Sequence, residues 1–163
     1  MPGKATGAYT AALTELVSIY PTLAELTNTP LHDTLDGQSF ASLFESPGAD
    51  GPIEYAFSQY DHCHNAAMAP YDNNNCTHDA IHYMGYSVRS IDWRYTEWHS
   101  FNVTRNCVDW TASPFAVELY DHRGDDGTDF NAFGNENVAG DSQYSNIIAQ
   151  LHAVAAKQFP CQS

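Results

Sequence analysis

Between Thr10 and Thr27 the chain reads TAALTELVSIYPTLAELT, and Leu13, Leu16, Val17, Tyr20, Leu23 and Leu26 recur at three- and four-residue intervals. That spacing lays one apolar stripe along a 3.6-residue period and predicts an amphipathic helix over 10–27. Pro21 falls inside it. Proline has no N–H and crowds the preceding turn, so a kink or a split into two short helices is expected. From 28 to 52 the turn formers Pro30, Asp36-Gly37, Pro47-Gly48 and Asp50-Gly51-Pro52 follow closely, which predicts an irregular connector. One helical turn is expected within SFASLFE, where Phe40, Leu43 and Phe44 share a face.

The period then shifts toward two. IEYAFSQY (53–60) alternates and favours a strand, and two further strands are expected at Met84–Ser90 and Arg94–Phe101, joined by a tight turn at Ser90–Trp93. FAVELYDH (115–122) is a fourth. Alternation places Met84, Tyr86 and Val88 on one face of the second strand, with Arg89 on the other. In the third, Trp93, Tyr95, Glu97, His99 and Phe101 oppose Arg94, Thr96 and Trp98. Residues 61–82 form a long polar loop, and loops of that length inside a compact domain are functional or stapled. Asp141 or Ser142 can cap a last helix running to about Gln158, with Tyr144, Ile147, Ile148, Leu151, Val154 and Ala155 as its apolar stripe. The order is helix, four strands, helix. Strands joined by turns and surface loops pair antiparallel, so the class is α+β.

Composition narrows the function more than the fold. At 163 residues, 43% hydrophobic and 13% aromatic, the chain can bury a real core, and no apolar run approaches a membrane span. Twenty acids against six bases give a net charge of −14, the wrong sign for following a phosphate backbone, so nucleic acid is excluded as the natural partner. Four of the six cations are Arg89, Arg94, Arg105 and Arg123. They would have to meet any anionic ligand, although pairing with surplus Asp and Glu is the expected use.

Four cysteines, Cys63, Cys76, Cys107 and Cys161, allow three pairings. A Cys63–Cys76 bridge would staple the 61–82 loop, closing about 13 residues for roughly 3 kcal/mol. With the sequons at Asn75 and Asn102 and few lysines, the even cysteine count favours a secreted or lumenal glycoprotein. The opening MPGKATGAYT has no signal-peptide character, which conflicts with that unless Met1 is not the natural beginning.

Candidate chemistry is sparse. His62, Cys63, His64, Cys76, His78 and His82 are metal-ligand types, but their spacing fits no zinc pattern, and a disulfide with solvated histidines is the better reading. DHRGDDGTD (121–129) offers Asp121, Asp125, Asp126 and Asp129, yet Arg123 falls where a calcium loop needs an oxygen, so a solvated acidic turn is expected. No serine or cysteine stands in a nucleophile motif.

Several segments, in order, resemble the C-terminal region of the sulfatase family, closest to its iduronate-2-sulfatase-like members. They are PGKATGAYTAALTELVSIYPTLAELTNTP, LDGQSFASLF, AFSQY, MGYSVRSIDWRYTEW, and ELYDH with a later N-x-A-like stretch. Ser18 stands where that family usually has Asp, and loop 61–82 has no counterpart. The resemblance implies a small subdomain, 51–163, of a four-stranded antiparallel sheet with a C-terminal helix. It also implies a helix and connector, 1–50, belonging to the edge of a large catalytic domain. Sulfatases use a formylglycine made within C-x-P-S-R and a divalent cation, calcium, and the family holds both upstream of this region. The cysteine contexts here are DHCHN, NNCTH, RNCVD and FPCQS, so no catalytic residue, metal ligand or cofactor of the family carries over.

The chain is therefore expected to be the C-terminal portion of a sulfuric ester hydrolase acting on sulfated carbohydrate. It would be inactive until joined to its catalytic domain, and its setting would be secreted or lysosomal. Met1 would then be an internal methionine, and the chain a fragment, a truncated gene product or one chain of a processed enzyme. A secreted non-catalytic module binding carbohydrate or protein is the alternative. Gln59, Tyr60, Arg94 and Trp98 are candidate cleft residues, since polar and aromatic groups can contact a sugar and its anionic substituent. Cys63–Cys76 and Cys107–Cys161 are the expected bridges.

Overall fold

The computed structural model describes residues 7–63, 77–129 and 132–161. The chain divides into two compact units between Ala56 and Phe57.

In the first unit a 3-10 turn, Leu16–Ser18, runs straight into helix α1, Ile19–Leu26. The helix is shorter than the 10–27 expected from periodicity. Residues 8–15 are not helical, and the Thr10 hydroxyl accepts the Ala12 N–H at 3.1 Å, a local bond that competes with helix formation. Pro21 does not kink α1. It is the third residue of the helix, where the backbone N–H would be unpaired in any case.

The face of α1 buried within the unit is small and polar, comprising Ser18, Pro21, Thr22 and Ala24. The Thr22 hydroxyl donates to the Ser18 carbonyl at 2.6 Å and accepts the Phe40 N–H at 3.1 Å. Ser18 Oγ accepts the Gln38 N–H at 3.2 Å. These bonds hold residues 37–40 against the helix so closely that a Cβ on Gly37 would lie 2.2 Å from the Val17 carbonyl oxygen. A second 3-10 turn, Ala41–Phe44, follows. Most of the predicted apolar stripe faces outward instead, with Leu16 85%, Val17 51%, Tyr20 61% and Leu23 55% exposed, while Leu13 and Leu26 are half-buried.

The second unit is built on a five-stranded sheet of β1 (Ala56–Cys63), β2 (Ile81–Arg89), β3 (Trp93–Asn102), β4 (Cys107–Val108) and β5 (Ala116–Asp121). In space β1, β2, β3 and β5 are neighbours in that order, with short β4 pairing the end of β3. The β2–β3, β3–β4 and β3–β5 pairings are antiparallel. The α+β architecture expected from the sequence is present. Two-residue β4 is an addition, too short for any period to announce.

Helix α2, Ser145–Gln158, lies over one face of the sheet. Asp141 accepts the Gln143 N–H at 3.0 Å and so caps the 3-10 turn Ser142–Tyr144 that leads into it. Met84, Tyr86 and Val108 form a buried cluster with Ile81, Phe101, Trp110 and Phe159 around it. Tyr86 packs between the rings of Trp110 and Phe159, at 5.2 and 4.6 Å between centroids. The Trp110 indole donates to the Phe159 carbonyl at 2.8 Å, and the Cys107–Cys161 disulfide closes the same corner. Past β5 the chain returns along its edge. Asn137 Oδ1 accepts the Leu119 N–H at 3.0 Å while Nδ2 donates to the Val117 carbonyl at 3.1 Å, so this asparagine serves the N-x-A-like stretch as a side-chain rung.

Candidate functional site

Strand β3 carries chemistry on both faces. On the buried side, alternation brings Tyr95, Glu97 and His99 together, with Glu97 and His99 each 2% exposed. His99 Nε2 lies 2.6 Å from Glu97 Oε2, and His152 Nδ1, reaching down from α2, lies 2.7 Å from Oε1. The Tyr95 hydroxyl also donates to Oε1. Both imidazoles meet the Trp110 ring edge-on. A buried carboxylate needs donors, and here a tyrosine and two histidines provide them. The cluster ties α2 to the sheet. It contains no serine or cysteine nucleophile, and among the described residues no group of three or more His, Cys, Asp or Glu is placed to hold a metal ion. The divalent cation that the sequence resemblance implies thus finds no fitting donor set in the described part of this chain.

On the opposite side of β3 are Arg94, Thr96 and Trp98. Trp98 lies flat over Gly85 of β2, where an added Cβ would come within 2.8 Å of the indole. Its Nε1 donates to Glu118 Oε1 at 2.9 Å, and the Tyr120 hydroxyl donates to Glu118 Oε2 at 3.0 Å. The Arg94 guanidinium lies over the Tyr120 ring, 4.6 Å from its centroid. Of the four cleft candidates, Arg94 and Trp98 therefore share one face. Gln59 and Tyr60 are both exposed on β1, and as consecutive strand residues they point to opposite sides.

Charge gathers at the end of the sheet where the β2–β3 turn meets the end of β5. Arg123 grips Asp121 through Nε at 3.0 Å and Nη2 at 2.5 Å while stacking on Trp93. Asp121 is held below the ordinary carboxylate range chiefly by that bond. Arg89 donates to the turn carbonyls of Ser90 and Ile91 and stands 4.0 Å from Asp125. Burial lowers the Arg89 pKa, with Asp125 opposing the shift. His122 Nδ1 is 2.8 Å from Asp125 Oδ2, and this bond is the main reason the Asp125 carboxyl titrates below its usual value. Asp125 and Asp126 also accept the backbone N–H groups of Gly127 and Thr128, so 121–129 is an acidic turn built from local hydrogen bonds.

The remaining candidates separate. Cys107–Cys161 pairs as expected, and Cys63 is disulfide-bonded, while Cys76, His64 and Asn75 lie outside the described residues. His78 bonds Asn106 at 3.1 Å and edges Phe101. Asn102, at the end of β3, is exposed, and its Oδ1 accepts the Arg105 N–H at 2.9 Å. Alternation alone puts Glu97 and His99 on one face with Tyr95, but no sequence motif marks a site there. A carboxylate and an imidazole at alternate positions of a strand bounded by Tyr and Trp was the available signal. Nothing local marks His152, which joins them from 55 residues away in sequence.

No family model matches the sequence. Over 164 residues the chain is 31% identical to iduronate 2-sulfatase of Mus musculus, a match covering 89% of this chain. The chain is homologous to a portion of a sulfatase. The same match covers 28% of the mouse protein, so this chain corresponds to a part of that relative. Its fold recurs in solved structures. A phosphonate monoester hydrolase from Silicibacter pomeroyi aligns with a TM-score of 0.63 at 19% identity, over 96% of this chain and 27% of that one. A sulfatase from Bacteroides thetaiotaomicron VPI-5482 gives 0.53 at 21% identity, over 86% and 23%. A 2-O GAG sulfatase gives 0.53 at 22%, with the same coverage. Among the described residues no helix is long and apolar enough to cross a membrane.

Proposed function

We propose that this chain is the C-terminal portion of a sulfuric ester hydrolase of the iduronate-2-sulfatase type, acting on sulfated carbohydrate when joined to a catalytic part. The observation that carries this reading is the asymmetric match, 89% of this chain against 28% of the mouse sulfatase. The catalytic part would supply the formylglycine and the divalent cation, for which this chain has neither a C-x-P-S-R sequence nor a fitting donor set among its described residues. Residues 1–50 would belong to the edge of that part and 51–163 to a small subdomain walling one side of the cleft. Helix α1 and the 3-10 turn before it support this division, because their exposed Leu16, Ile19, Tyr20 and Leu23 make the kind of surface that another body covers. The Cys107–Cys161 disulfide suits a secreted or lumenal setting.

The test is an aryl-sulfate assay of this chain alone and of the chain co-expressed with a catalytic sulfatase domain. The expected result is background turnover alone and sulfatase activity together. Turnover by the isolated chain would overturn the proposal. A chain that binds carbohydrate but never assembles with a catalytic domain would favour a non-catalytic module.

A further inference from the structure

Two segments of the chain match the acceptor pattern Asn-x-Ser/Thr with x other than proline, Asn75-Cys76-Thr77 and Asn102-Val103-Thr104. A three-residue pattern recurs by chance, so the pattern by itself assigns nothing. The fold treats the second segment in a way that does.

Asn102 is the last residue of β3 and pairs with Cys107 across the short β3–β4 hairpin. Side chains alternate along a strand. Phe101 turns inward against the cluster of Met84, Tyr86 and Val108, so Asn102 points the other way and is exposed. Residues 103–106 make the hairpin turn, and Thr104 within it is exposed as well. The two ends of the Asn102 carboxamide are used differently. Oδ1 accepts the Arg105 N–H at 2.9 Å and pins the side chain across the turn. Nδ2 has no hydrogen-bond partner among the described residues. Asn106, in the same turn, is a useful contrast. Its Oδ1 is engaged by His78 Nε2 at 3.1 Å, and the residue two places on is Val108, which has no hydroxyl.

We infer that Asn102 is an N-glycosylation site, its Nδ2 carrying an oligosaccharide that projects from the end of the β3–β4 hairpin. The inference rests on the secreted or lumenal setting proposed above. The donor is an oligosaccharide held on a lipid pyrophosphate. Nδ2 bonds to C1 of the first sugar and the C1–O bond to the pyrophosphate breaks. The lipid pyrophosphate leaves, and Nδ2 gives up one hydrogen as a proton. The Thr104 hydroxyl is the group that the transferase reads two residues on. A bulky, hydrated glycan fits a folded protein only where its first sugar meets water. Asn102 offers that place, and the Oδ1 bond to Arg105 survives substitution on Nδ2 because it uses the other end of the amide.

The test secretes the full chain, behind a cleavable leader, from cultured eukaryotic cells and maps its glycopeptides by mass spectrometry. Transfer precedes folding, so secreted and cell-retained chain are both mapped. Most copies are expected to carry a glycan on Asn102, which a peptide N-glycosidase removes while converting the acceptor to aspartate. N102D and T104A should lose that glycan completely, and T104S should keep it. N102D is chemically the same chain as the deglycosylated parent, so equal melting temperatures show that the variant folds. T104A leaves the Asn102–Arg105 bond in place and removes only the hydroxyl. A parent bare at Asn102, a glycan confined to Asn75, or a glycan on Asn102 that survives T104A would overturn the site. The leader supplies the lumenal setting, so these outcomes concern Asn102 itself. A site filled behind the leader but bare on chain from its own cells would instead overturn the setting. Neither result alters the aryl-sulfate assay, which tests the sulfatase reading separately.

Discussion

Glu97 shows how one residue can be both misplaced by composition and well placed by structure. A carboxylate 2% exposed under a helix would destabilise the fold if left alone, yet Tyr95, His99 and His152 all turn to it. Removing the carboxylate strands these three groups. Glu97→Gln, which offers one acceptor oxygen and an unwanted NH2, is expected to lower unfolding free energy by about 1–3 kcal/mol, and Glu97→Ala by more. Denaturant unfolding checks this, and a variant as stable as the parent would show that the histidines do not depend on Glu97. Gly85 poses the opposite problem. The Trp98 indole occupies the space of a side chain, so Gly85→Ala is expected to displace the ring and cost about 1–3 kcal/mol. Tryptophan fluorescence should report the altered packing as well as the earlier unfolding midpoint.

At the scale of elements, period-two alternation in Met84–Val88 and Tyr95–Phe101 gave the right strands and the right inward faces, because a sheet with one buried face imposes that pattern directly. Helix α2 was legible for the same reason at period 3.6. Helix α1 was legible in its existence and wrong in its face. Its period marks Leu16, Tyr20 and Leu23, while within the described unit burial falls on Ser18, Pro21, Thr22 and Ala24. Periodicity reports that a face will be covered, without saying by what. The candidate site was only half legible. In the buried cluster Tyr95, Glu97 and His99 fall on one face by alternation, but His152 joins them from 55 residues away and has no local signature. One element-level constraint is covalent. Cys107–Cys161 joins the β4 corner to the residues after α2 across 54 positions. On chain-entropy grounds such a link is worth about 4 kcal/mol, so Cys161→Ser should lower the melting temperature markedly and loosen the end of α2 first. Unchanged melting would mean the Trp110–Phe159 packing suffices by itself.

For the whole molecule, the net charge of −14 is managed locally. Asp109 is held below its usual pKa chiefly by the Thr111 hydroxyl, Asp121 by Arg123, Asp125 by His122, Asp126 by the Thr128 hydroxyl and Asp141 by the Gln143 N–H. A carboxyl whose folded pKa is depressed adds stability that is fully present above its unfolded value, near pH ~4, and is lost as the pH falls through the folded value. From these groups the chain should be insensitive to pH from neutrality to about 5 and lose stability steadily below about 4. Melting temperatures across that range provide the check, and an undiminished melting point at pH ~2 would contradict it.

The inverted helix α1 has a kinetic consequence as well. Its eight residues are tethered by a few hydrogen bonds from Ser18 and Thr22, while its large side chains contribute little where they stand. Such a segment opens by itself, without waiting for the rest to unfold. In deuterium exchange its amides should therefore exchange well ahead of those of β3, whose neighbours pair it on both sides. If the proposed catalytic part covers Leu16, Tyr20 and Leu23, the same amides should slow. The solvent protection of helix α1 would then report whether that proposed assembly has formed.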